Sequence, residues 1–153
     1  MQMSDTLVAL VAMITSAFAN VPTLPGESLV YEDTWETEDL IRDLAAVGDR
    51  PDDRFIEQHF SSLPAFTGEG LRHVLPQYLI YSLKHPDSDA TERVIFQLVP
   101  DDTDSPYWRG RLEIFSHAQK SAICEYLRHM QVQLAGQHFE VYLQRGLSVW
   151  GCG

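Results

Sequence analysis

The feature that most restricts this chain is an apolar stripe with a proline in its middle. Leu71, Val74, Leu75, Tyr78, Leu79 and Leu83 recur at the spacing that lines side chains up on one face of a helix. A strand cannot bury that set, because successive side chains of a strand point to opposite faces. Pro76 sits inside the stripe. It has no N–H for the Arg72 carbonyl and its ring crowds that carbonyl, so the spacing predicts a helix over 68–84, kinked near Arg72–Pro76. Thr67 is placed to cap this helix, and His85-Pro86 to close it.

The same period recurs along the chain. Leu7, Leu10, Val11, Ile14 and Phe18 predict a helix over 5–19 behind Ser4, ended by Asn20-Val21-Pro22. Leu40, Ile41, Leu44 and Val47 predict a second over 36–47, opened by Thr34 or Thr37 and stopped by Gly48. Phe55, Ile56, Phe60 and Leu63 mark a short third over 53–62. Asp89-x-x-Glu92 and Ser116-x-x-Gln119 have the form of capping boxes. The first stands at a helix begun by Ser88 or Asp89, with Val94, Ile95, Leu98 and Val99 inward, and the second opens one that reaches Leu134 and stops at Gly136. A last helix, 138–150, contains Gly146, which either admits a close neighbour or ends the helix early. Leu29-Val30-Tyr31 reads as a short extended piece without a partner, Pro100–Pro106 as a loop, and Arg109–Phe115 as a loop or a short strand. The expected architecture is all-α, a single domain over 1–153 with about seven helices and a Pro-kinked central one. A length of 153 residues, 44 % of them hydrophobic, suits one core.

Charge narrows the partners. The formal net charge is −11, and it is unevenly placed. Residues 27–57 carry eleven acids and three bases, residues 87–104 six acids and one base, and residues 105–153 five bases against three acids. Nucleic-acid backbones and anionic membrane surfaces call for the opposite sign, whereas a basic protein would be drawn to the acidic segments. Glu36, Glu38 and Asp39 also suit the positive end of their own helix.

The start of the chain imitates a secretory signal, with Leu7–Ile14 apolar and Ala17-Phe18-Ala19 like a cleavage site. It carries Asp5 and no Lys or Arg ahead of the apolar run, and that run is too short to span a bilayer. It reads as a core helix, and a cytoplasmic setting is expected. Cys124 and Cys152 stand in no metal-like spacing. They are expected as free thiols, one on a helix and one exposed; the alternative is a structural disulfide.

No catalytic, cofactor or metal motif emerges. His59, His73, His85, His117, His129 and His138 form no i, i+4 pair, and His59 reads as a hydrogen-bonded core histidine. Asp102-x-Asp104 with Glu113 imitates a calcium loop, but Pro106 and Tyr107 stand where an oxygen ligand and a glycine are needed. Gly68-Glu69-Gly70 lacks the rest of a phosphate-binding loop. Trp35 and Trp108, flanked by acids, are candidate interface anchors, although either could close a core edge instead.

Three segments together carry a likeness to a known family. They are Ala17-Phe18-Ala19-Asn20-Val21-Pro22, the stretch Phe66–Leu79 centred on Leu75-Pro76-x-Tyr78-Leu79, and Phe115-Ser116-His117-Ala118-Gln119 leading to Tyr126-Leu127. The chain resembles a bacterial family of small proteins catalogued only as a domain of unknown function. The resemblance implies a helical fold and a cytosolic bacterial setting, and supplies no catalytic residues. The expected function is non-enzymatic binding of a basic partner protein, as in an immunity or antitoxin-type inhibitor. The surface expected to carry it comprises Trp35, Glu36, Asp39, Asp101, Asp102, Asp104 and Trp108. A small-molecule-binding accessory protein or sensor, and an enzyme with scattered catalytic residues, are the alternatives.

Overall fold

The proline-bearing stripe forms one unbroken helix around which the rest of the chain is arranged. The computed structural model describes residues 4–99 and 105–153. In chain order the helices are α1 (Asp5–Ala17), α2 (Gly26–Leu29), α3 (Thr37–Ala46), α4 (Asp53–Gln58), α5 (Gly68–Lys84), α6 (Asp89–Leu98), α7 (Pro106–Glu113), α8 (His117–Gln133) and α9 (Glu140–Val149). A 3-10 turn, Leu63–Ala65, leads into α5. No strand occurs among the described residues, so the all-α expectation holds, with more helices than the seven foreseen.

Helix α5 packs on α1, α2, α4, α6 and α7, while α8 pairs with α1 and α9. Leu71, Val74, Leu75, Tyr78 and Leu79 are fully buried, and the apolar residues of every layer join in one continuous core. Pro76 lies inside α5, which continues to Lys84. Packing on several sides compensates for the one bond the proline removes. Local signals act where the sequence places them. The side chains of Ser4, Thr67 and Ser116 each accept an N–H of the first turn, and Ser116 and Gln119 complete a reciprocal capping box. Gly146 admits the side chains of Val99 and Leu127 and does not end α9.

Four local expectations change. Arg109–Phe115 is neither loop nor strand, because Pro106–Glu113 is helical. Its buried residues are Trp108 and Arg111, and an arginine on the inner face hides the amphipathic pattern. Leu29 ends a one-turn helix, and Val30 finds a partner after all in an isolated antiparallel bridge to Phe66. Helix α3 opens at Thr37, one of the two threonines expected to open it, but α6 is capped by Ser88, whose side chain accepts the Thr91 N–H, and not by an Asp89–Glu92 box. Cys124 and Cys152 are not free thiols: they are bonded, with Cα atoms 5.6 Å apart. The turn at Gly136 sends α9 back along α8, and the bond joins the first half of α8 to the residues after α9. No helix among the described residues is long and apolar enough to cross a membrane.

Candidate functional site

The most exposed large hydrophobic side chain among the described residues belongs to a turn that is tightly held at its base. Thr37 donates its hydroxyl to the Tyr31 carbonyl at 2.6 Å, so its oxygen accepts from the Thr34 hydroxyl at 2.7 Å and from the Thr34 N–H at 3.3 Å. These bonds fix the turn between α2 and α3 and leave Trp35, within it, 90 % exposed. Beside it runs a surface groove of about 640 Å³, bordered by Trp35, Glu27, Glu32, Glu38, Asp39 and Ile41. An indole left in water beside a groove edged by carboxylates contributes little to folding, and it is a strong group for recognition.

The other residues expected on this surface separate. Asp39 stays on it, exposed and 3.2 Å from Arg42 one turn on. Glu36 turns inward, where its carboxylate accepts the buried Ser62 hydroxyl at 2.5 Å and ties the start of α3 to the chain before α5. Trp108 is not an anchor. It is 4 % exposed on the inner face of α7, edge-on to Trp150 at 6.0 Å. Trp150 in turn donates its indole N–H to the Leu98 carbonyl at 2.8 Å and packs against Phe115. Asp101, Asp102 and Asp104 lie outside the described residues. Glu27, Glu32 and Glu38 belong to the acidic run, but only the turn that gathers them around Trp35 distinguishes them from the rest.

One carboxylate–histidine pair joins α3 to the end of α4. His59 Nε2 and Asp43 Oδ2 are 2.8 Å apart, and the imidazole lies against the Phe55 ring. The hydrogen bond from His59 holds the Asp43 carboxyl below its ordinary range, with burial opposing it. Tyr78 donates its phenol to the His59 carbonyl at 2.8 Å. His59 is therefore the hydrogen-bonded core histidine expected. Neither Asp43 nor His59 borders the Trp35 groove or either of two further clefts around α5, and the pair ties α3 to the end of α4. Among the described residues no three His, Cys, Asp or Glu side chains converge as a metal site.

The two further clefts flank the junction of α1 and α5. One, of about 340 Å³, is bordered by Phe18, Asp49, Arg50, His73, Pro76 and Gln77 among others. The other, of about 690 Å³, is bordered by Met13, Asn20, Pro22, Arg72, Ser116 and Gln119 among others. The three segments that carry the family likeness therefore meet around these clefts. No shared role for Arg50, His73 and Gln77 could be expected, because no spacing relates the three before the chain folds.

No curated protein and no solved structure matches the chain. A family model does match, over residues 6–150. The chain belongs to that family, described as Family of unknown function (DUF6714).

Proposed function

We propose that the protein is a non-enzymatic protein-binding module, an acidic inhibitor of the immunity or antitoxin type that covers a basic toxin or effector. The observation that carries this reading is Trp35, 90 % exposed beside a groove edged by Glu27, Glu32, Glu38 and Asp39. Tryptophan is among the residues that contribute most when an interface closes over them. Carboxylates at the rim raise the encounter rate with a basic partner and disfavour an acidic one. Glu36 and Trp108, both turned into the fold, have structural roles in this reading. Asp101, Asp102 and Asp104 belong to it through their charge. The same charge disfavours nucleic acid as the partner.

A cytoplasmic setting goes with the inhibitor reading, and it makes a demand on the fold. Cytosolic thiols are kept reduced, so the protein must stay folded there without the Cys124–Cys152 bond. The continuous apolar core supports that tolerance.

The experiment is capture from the native host with three baits: the wild type, Trp35→Ala, and Glu38→Lys combined with Asp39→Lys. The reading expects a basic protein held by the wild type, lost by Trp35→Ala, and held weakly by the charge-reversed bait. A partner retained equally by all three, or no protein partner, would contradict it.

A further inference from the structure

The cleft between the end of α1, the turn at Gly48–Arg50 and the middle of α5 has a chemistry of its own. Its two formally charged lining residues, Asp49 and Arg50, are neighbours in sequence and opposite in sign. Neither side chain has an ion-pair or hydrogen-bond partner among the described residues. Asp49 has a left-handed backbone, φ 63°, which is costly for a residue other than glycine. Its carbonyl lies 2.6 Å from His73 Nε2. A carbonyl only accepts, so Nε2 carries a proton and holds the turn against α5. Phe18, Pro76 and Ile80 form an apolar wall of the same cleft.

We infer that this cleft binds a small zwitterion, an amino acid with an apolar side chain. Its carboxylate pairs with Arg50, its ammonium with Asp49, and its side chain packs on Phe18, Pro76 and Ile80. A simple anion would meet the Asp49 carboxylate and a simple cation the Arg50 guanidinium. A ligand carrying both signs satisfies both. The volume, about 340 Å³, is at the low end for small-molecule sites and suits one amino acid better than a peptide. The cleft shares no lining residue with the Trp35 groove, so this inference stands apart from the protein-binding reading.

The test is a titration of the intact protein with L-leucine, followed by NMR at His73 and Ile80, with N-acetyl-L-leucine and L-leucinamide as comparisons. The expected result is a saturable shift with L-leucine and binding at least about tenfold weaker for either analogue, which lacks one of the two charges. Asp49→Asn keeps the left-handed turn, which asparagine tolerates. It should abolish the preference over N-acetyl-L-leucine and retain that over L-leucinamide. Arg50→Gln should do the reverse. The inference is overturned by no saturable shift with L-leucine, by equal binding of the analogues, or by shifts that neither substitution changes.

Discussion

Gly70, in the first turn of α5, lies against the Leu29 carbonyl so closely that a Cβ at position 70 would penetrate that oxygen. The approach is fixed from both sides. Thr67 accepts the Gly70 N–H at 3.0 Å and donates its own hydroxyl to the Ser28 carbonyl at 3.0 Å, while the Thr67 N–H reaches the Leu29 carbonyl at 2.9 Å. Glycine to alanine in a helix ordinarily stabilises by about 1 kcal/mol. Here the sign reverses: Gly70→Ala should destabilise by about 1–3 kcal/mol through overpacking against backbone. Urea unfolding measures it, and an unchanged or raised midpoint would contradict the packing of α2 on α5.

Arg111 should behave as a core residue although it is charged. It is 2 % exposed, its Nη1 donates to the Phe66 carbonyl at 2.6 Å and its Nη2 to the Leu63 carbonyl at 3.4 Å. The guanidinium also lies 4.8 Å from the centre of the Tyr107 ring. Arg111→Met leaves the buried Phe66 carbonyl without its donor, at a cost of about 1–3 kcal/mol, while the Leu63 carbonyl keeps the Phe66 N–H at 3.2 Å. Arg111→Lys cannot reproduce the planar fork and should recover only part of the loss. A methionine variant as stable as the wild type in denaturant unfolding would contradict this arrangement.

Labelling the oxidised native protein with a thiol reagent should modify neither cysteine, because both are in the Cys124–Cys152 bond. Reduction, or Cys152→Ser, should lower stability by about 2–4 kcal/mol while leaving the helical far-UV spectrum in place. Rapid labelling without reductant would contradict the bond. Loss of the helical spectrum on reduction would rule out the cytoplasmic setting.

The Asp43–His59 pair sets the direction of a pH effect. His59 holds the Asp43 carboxyl below its ordinary value of 3.8. A carboxyl lowered in the folded state contributes stability that is present above its unfolded value and is lost as pH falls through the folded value. Stability should therefore drop as the solution is acidified below about pH 4. Asp43→Asn should cost about 1 kcal/mol or less at neutral pH and flatten that acid limb. An acid limb identical in the variant would remove Asp43 from the account.

Much of the fold was legible because burial leaves a period in the sequence. The α5 stripe, the Ser4, Thr67 and Ser116 caps and the stop at Gly136 each rest on neighbours within about one turn, where local physics decides. What was missed depends on partners distant in sequence. Helix α7 was obscured because Arg111 occupies an inward position, and its donors find the carbonyls of Leu63 and Phe66 only after folding. The cysteine pairing follows from α9 returning along α8, and 28 residues of separation carry no sign of it. The exposure of Trp35 and the burial of Trp108 could not be separated in advance, since both stand near the start of a helix, Trp35 among acids and Trp108 shortly after an acidic run. Asp39 kept its expected place on the surface, whereas the Ser62 hydroxyl drew Glu36 inward.

Trp35 and the carboxylates beside it are proposed here as the binding surface for a basic protein. The most direct measurement is the association and dissociation kinetics of the captured partner with the wild type and with Trp35→Ala. The salt series runs from about 0.1 M to about 1 M, over which the screening length falls from about 10 Å to about 3 Å. Association with the wild type should slow as salt rises, whereas Trp35→Ala should retain that salt dependence and dissociate at least about tenfold faster. A partner that binds Trp35→Ala as tightly as the wild type, at a rate independent of salt, would contradict the claim.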